Sequence, residues 1–77
     1  MYENEKVISF SKLDDVQEFV NAASKCDFEI DVKYNRTVLD AKSFVGILGI
    51  GLKKEFKVCY AGNDEEFENV IDKLASA

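Results

Sequence analysis

The sequence holds no histidine, so the side chain that most often serves as a nitrogen nucleophile, general base or metal ligand near neutral pH is missing. The residues that remain for chemistry are Cys26 and Cys59, the stretch Lys12-Leu13-Asp14-Asp15, Ser43, and the acidic run Asp64-Glu65-Glu66. The two cysteines lie far apart and belong to no CxxC or metal-spaced cluster, which reads as free thiols. A lysine becomes nucleophilic when desolvated, and Lys12, beside two carboxylates on an exposed turn, lacks that setting. The acidic run offers too few converging oxygens for calcium or magnesium and has no EF-hand-like spacing. Its simplest role is negative charge at a helix N-terminus. Ser43 reads as a helix N-cap whose hydroxyl serves the amide of Gly46 or its neighbour. No enzyme activity, metal or cofactor is implied.

The elements that position these residues follow from a chain of 77 residues, 47% apolar and 32% charged. That length has no room for two cores, and the mix favours a folded chain over a disordered one, so residues 1–77 read as one domain. Ten Lys and Arg against fifteen Asp and Glu leave a net charge of −5. The lysines are dispersed among acids, which argues against nucleic acid and against anionic lipid as partners. No stretch has membrane-spanning length, so membrane insertion is not expected. The start, Met1-Tyr2-Glu3-Asn4-Glu5-Lys6, lacks a basic n-region with a following apolar run, and a cytoplasmic location is the default expectation.

Without proline or repeats, the chain reads as regular elements joined by short turns. Glu5 to Phe10 is a strand candidate with Ile8 and Phe10 on one face. Ser11, three residues before Asp14, opens a capping-box-like start to a helix over about 12–24, its apolar series being Leu13, Val16, Phe19, Val20 and Ala23. Phe28, Ile30, Val32 and Tyr34 alternate with Glu29, Asp31 and Lys33, the period of a half-buried strand. Asn35-Arg36 tolerates the positive φ of a tight turn, and Thr37-Val38-Leu39 pairs back. Ser43 caps a short helix, Phe44 to about Ile50, which Gly51 ends in a left-handed conformation. Phe56, Val58 and Tyr60 alternate with Glu55, Lys57 and Cys59. Asn63 is then a candidate cap, with Glu66 three residues on, for a helix carrying the stripe Phe67, Val70, Ile71 and Leu74.

The order β-α-β-β-α-β-α gives an α+β open-faced sandwich: a four-stranded antiparallel sheet with three helices over one face. The short helix is the informative surface. At about 100° per residue, Ile47, Ile50 and, at the fringe, Phe44 turn to one side, leaving Val45, Leu48 and Leu52 facing largely away. Phe44, Val45, Leu48 and Leu52 are therefore candidate docking residues, the plain alternative being loops that partly cover them.

These residues resemble HPr, the small phosphocarrier of the bacterial phosphoenolpyruvate-dependent sugar phosphotransferase system, over nearly the whole chain. The most specific part is Ala41-Lys42-Ser43-Phe44-Val45-Gly46-Ile47-Leu48-Gly49-Ile50, similar to the family's lysine, regulatory serine and short apolar helix. Phe19-Val20, Ala22-Ala23, Phe28 and Gly62-Asn63-Asp64-Glu65 fit the same pattern. The family's Gly-Leu-His-x-Arg-Pro-like stretch is missing; Lys12 to Asp15 stands in its place as a degenerate, shorter active-site loop. In the family the imidazole accepts the phosphoryl group, and a helix N-terminus with an arginine stabilises the anion.

The resemblance implies a non-carrier regulatory module acting on other proteins. The partners it implies are phosphotransferase-system components, the HPr kinase or a transcriptional regulator, with Ser43 as the phosphorylation candidate. Two alternatives stay open: a structural or oligomerising domain that has lost the ancestral role, and a phosphocarrier using an unconventional acceptor. The sequence leaves the oligomeric state open.

Overall fold

The computed structural model describes residues 3–75; Met1 and Tyr2, at the start of the segment read for a secretory signal, lie outside them. The elements are β1 (Asn4–Ser9), α1 (Leu13–Ser24), β2 (Ile30–Tyr34), β3 (Thr37–Asp40), α2 (Phe44–Ile50), β4 (Glu55–Tyr60) and α3 (Glu65–Ala75). The strands form one antiparallel sheet in the order β1-β4-β2-β3. Opposed pairs such as Ile8 with Phe56 and Val32 with Val58 put the alternating apolar residues of neighbouring strands on one face. Ile8, Ile30, Val32, Phe56, Val58 and Tyr60 are all buried there beneath the helices. No helix among the described residues is long and apolar enough to cross a membrane.

Aromatic rings fill the layer between sheet and helices. Phe10 lies 5.5 Å from Phe19 and 5.3 Å from Phe56, while Phe67 reaches Tyr60 at 5.1 Å in an edge-to-face contact. Such pairs add about 0.5–1.5 kcal/mol beyond their area burial. The Tyr60 hydroxyl is satisfied by the Glu68 carboxylate on α3. Burial, reinforced by that carboxylate, pushes the phenol well above its ordinary range.

Several local expectations are corrected. Phe28 lies outside β2, its ring stacked 6.1 Å from Tyr60 and pressed against Gly62, where an added Cβ would stand 2.5 Å from it. Leu13, expected on the buried stripe of α1, is 49% exposed. The cap of α1 is Lys12 and not Ser11. At α3 it is Asp64, not Asn63, whose Oδ1 accepts the Phe67 amide at 2.9 Å. Gly51 ends α2 at φ 114° and ψ 167°, a positive-φ region open to glycine but outside the left-handed helical one. The expected positive φ at the hairpin turn is there, at Asn35 with φ 54°.

Candidate functional site

Phe10, Ser11 and Lys12 are all that separates β1 from α1, so the segment expected to be a degenerate loop is mostly helix. Leu13, Asp14 and Asp15 form the first turn of α1. Asp15 turns inward: its Oδ2 accepts the Ser11 amide at 3.0 Å and the Ser11 hydroxyl at 2.8 Å. Burial alone would raise this carboxyl. The Ser11 hydroxyl, the amides of Ser11 and Lys12, and the charge of Lys12 outweigh it and hold the group below the ordinary aspartate range. Asp14 and Lys12 remain exposed. The signal for this latch was in the sequence, one residue further along: the serine and its carboxylate are four apart rather than three.

A pH dependence follows. A carboxyl whose pKa is lower folded than unfolded stabilises the fold fully above the unfolded value of about 3.9, and that contribution is lost as pH falls through the folded value. Asp15→Asn should therefore cost about 1 kcal/mol near pH 7, the scale of a lost cap. Thermal midpoints of wild type and variant should converge as the pH is lowered below the ordinary aspartate value of about 3.9. A gap that widens in acid would show the Ser11–Asp15 latch to be unimportant.

The other nucleophile candidates are enclosed. Cys26 and Cys59 are free thiols, both buried, and burial pushes each up. Cys59, which alternates with Val58 and Tyr60 along β4, projects to the side away from the helices, yet it is only 2% exposed. Its register partners Glu5 and Asp31 flank it on either side, and its thiol sits 3.8 Å from Glu5 Oε2. Neither cysteine is an accessible thiolate.

Along α1, from Lys12, Asp14 and Asp15 to Lys25, runs a surface groove shared with α3 and spanned by Lys25–Glu66 at 3.3 Å and Lys73–Glu18 at 2.9 Å. Both pairs are exposed, and such pairs are worth about 0–1 kcal/mol. Glu66 in the acidic run is thus an ion-pair partner, while Asp64 is a cap. Among the described residues no group of histidine, cysteine, aspartate or glutamate side chains is arranged to hold a metal.

The short helix α2 is set by its two ends. Asp40 accepts the Lys42 amide through Oδ1 at 2.8 Å and the Ser43 amide through its carbonyl at 2.9 Å, a tight turn that delivers Ser43 to the N-cap. There the Ser43 hydroxyl accepts the Gly46 amide at 3.3 Å, as expected. At the other end Lys53, at φ 63°, donates its amide to the Phe10 carbonyl at 2.7 Å and ties the segment after α2 to the start of the Ser11–Lys12 link. Sequence reasoning missed this tether, since backbone pairing leaves no mark in a lysine.

Of the four candidate docking residues, Val45 is 79% exposed. Phe44, Leu48 and Leu52 are half-buried and pack against the core, so they form the rim of a patch rather than a fully outward face. Ile47 is the one residue of α2 that is fully buried. Seven residues make about two turns, so each face of α2 carries only two or three side chains, and Phe44, Leu48 and Ile50 lie at the boundary between the covered and the open side.

No match was found among curated proteins. Among solved structures, the crystal structure of a phosphocarrier protein HPr from Bacillus anthracis str. Ames shares this fold, with a TM-score of 0.70 and 20% sequence identity over 92% of this chain and 95% of that one. The family model described as "PTS HPr component phosphorylation site" matches residues 15–77. The match opens inside the first turn of α1, past Ser11 and Lys12, and takes in Ser43, α2 and the last helix. A match over that much of the sequence, on this order of elements, makes the chain a member of the HPr family of the phosphotransferase system.

Proposed function

We propose that this chain is a non-carrier HPr-family module, not an enzyme, that acts by binding other proteins through α2 and is switched by phosphorylation of Ser43. Residues 1–77 are taken as one HPr-like domain. The observation that carries the reading is the absence of histidine from a chain of this family. The buried cysteines and the inward-turned Asp15 add to it, because they leave only the exposed Lys12 and Asp14 side chains free in the carrier segment, and neither is an imidazole.

Ser43 and Val45 support the positive half of the proposal. Ser43 is half-buried, and its hydroxyl already faces the Gly46 amide. A phosphoryl group there adds up to two negative charges beside the exposed Val45, enough to admit an arginine-bearing partner or to repel an acidic one. The kinds of partner this reading names are phosphotransferase-system components, the HPr kinase and transcriptional regulators.

Incubation with ATP and the HPr kinase should add one phosphoryl mass to wild type and none to Ser43→Ala. Binding of the purified phosphotransferase-system first enzyme and of the HPr kinase is then compared for wild type, Ser43→Asp and Val45→Lys, all with unchanged circular dichroism. Each substitution should change the affinity for the partner that binds by about tenfold, equivalent to 1.4 kcal/mol. Unmodified Ser43 together with unaltered binding would leave the chain as a structural or oligomerising domain.

A further inference from the structure

Three of the chain's four glycines serve its fold. A Cβ at Gly46 would stand 2.7 Å from the Ser43 hydroxyl oxygen, one at Gly62 would strike the Phe28 ring at 2.5 Å, and Gly51 takes a φ of 114°. Gly49 has no such reason. It lies within α2 without a positive φ, and a Cβ built there meets nothing within 4 Å. Glycine inside a helix is less stable than alanine, because it loses more backbone freedom on folding. The fold therefore bears a cost at an exposed position where alanine would fit.

Gly49 follows Val45 by four residues, one helical turn, and so shares its face. We infer that Gly49 is the point of closest backbone approach for a partner protein on α2, a contact that a side chain at this position would hold off. The inference rests on the proposed docking role of α2 and adds to it the residue that sets how near the partner comes. The surroundings specify the partner's chemistry. From Ala41 to Lys54 the chain has no acidic residue, although it carries fifteen elsewhere, and Lys42, Lys53 and Lys54 are exposed at the two ends of the helix. The complementary surface has an apolar centre for Val45 and Gly49 and a rim of carboxylates for the lysines.

The test measures thermal midpoint and affinity on the full chain, with the purified phosphotransferase-system first enzyme and the HPr kinase as probes. Wild type, Gly49→Ala and Val45→Lys are compared. Gly49→Ala should raise the midpoint and weaken binding of the probe that wild type binds by about tenfold; charge reversal of the probe's facing carboxylates should weaken it further. A more stable Gly49→Ala chain with undiminished affinity, while Val45→Lys binds poorly, overturns the inference and leaves the docking role of α2 standing. A Gly49→Ala chain less stable than wild type overturns it too, because the glycine would then serve the fold. If wild type binds neither probe, or Val45→Lys binds as well as wild type, the docking role fails and the inference with it.

Discussion

Phe56→Ala is expected to leave the chain largely unfolded at physiological temperature. Phe56 is fully buried at the centre of the sheet's covered face, on β4, with β1 on one side and β2 on the other. Its ring meets Phe10 at 5.3 Å and Tyr34 at 5.5 Å, so truncation opens a cavity between the sheet and the helices as well as losing buried area. Phenylalanine-to-alanine changes in cores cost about 3–5 kcal/mol. A core of this size class supplies about 3–5 kcal/mol of net stability. The two figures are comparable, so the folded state loses most of its margin. Val45→Ala is the internal control: at 79% exposure it should shift stability by no more than about 0.5 kcal/mol. Denaturant melts followed by circular dichroism measure both. A Phe56→Ala chain with the wild-type midpoint would mean that the core is not organised around the β4 strand.

The burial of Phe56 was readable from the sequence, because alternation is a strong signal. Ile30 and Val32 against Asp31 and Lys33, and Phe56 and Val58 against Glu55 and Lys57, fix the faces of two strands without reference to anything distant. Helix ends were read less well. Ser11 and Lys12, and Asn63 and Asp64, are adjacent residues competing for one cap, and the choice depends on where the incoming chain leaves the sheet. Leu13 fits the helical stripe by spacing, yet it is the first residue of α1, and the burial of the helix begins only at Asp15 and Val16. Cys59 is hidden on the face without helices, flanked by the charged Glu5 and Asp31 of neighbouring strands. Pairing between strands distant in sequence leaves no periodicity to detect. The candidate surface at Ser43 and Val45 was legible for a related reason: a cap and an exposed apolar residue are local features, whereas the Phe10–Lys53 tether that fixes where α2 lies is not.

Incubation with phosphoenolpyruvate and the phosphotransferase-system first enzyme should leave the intact mass of this protein unchanged, under conditions that load a histidine-bearing HPr completely. Transfer requires a nucleophile the incoming phosphorus can reach, and the side chains near the expected place are a serine, a lysine and two aspartates. The Ser11 hydroxyl donates to Asp15, Oδ2 of Asp15 accepts two hydrogen bonds, and both thiols of the chain are buried. Charge opposes the transfer as well. Two like unit charges about 4 Å apart repel by about 1 kcal/mol in bulk water and about 4 kcal/mol near a protein surface, and a phosphoryl group beside Asp14 meets that repulsion more than once. Lys12→His alone should therefore remain unphosphorylated, since it adds a nucleophile without removing either carboxylate. The triple change Lys12→His with Asp14→Asn and Asp15→Asn separates the two obstacles: any labelling should appear there and not in the single variant. A stable phosphoryl adduct on wild type would overturn the non-carrier reading outright. Efficient labelling of Lys12→His by itself would show that the missing imidazole is the whole defect, and that the Ser11–Asp15 latch and the Asp14 charge have no part in it.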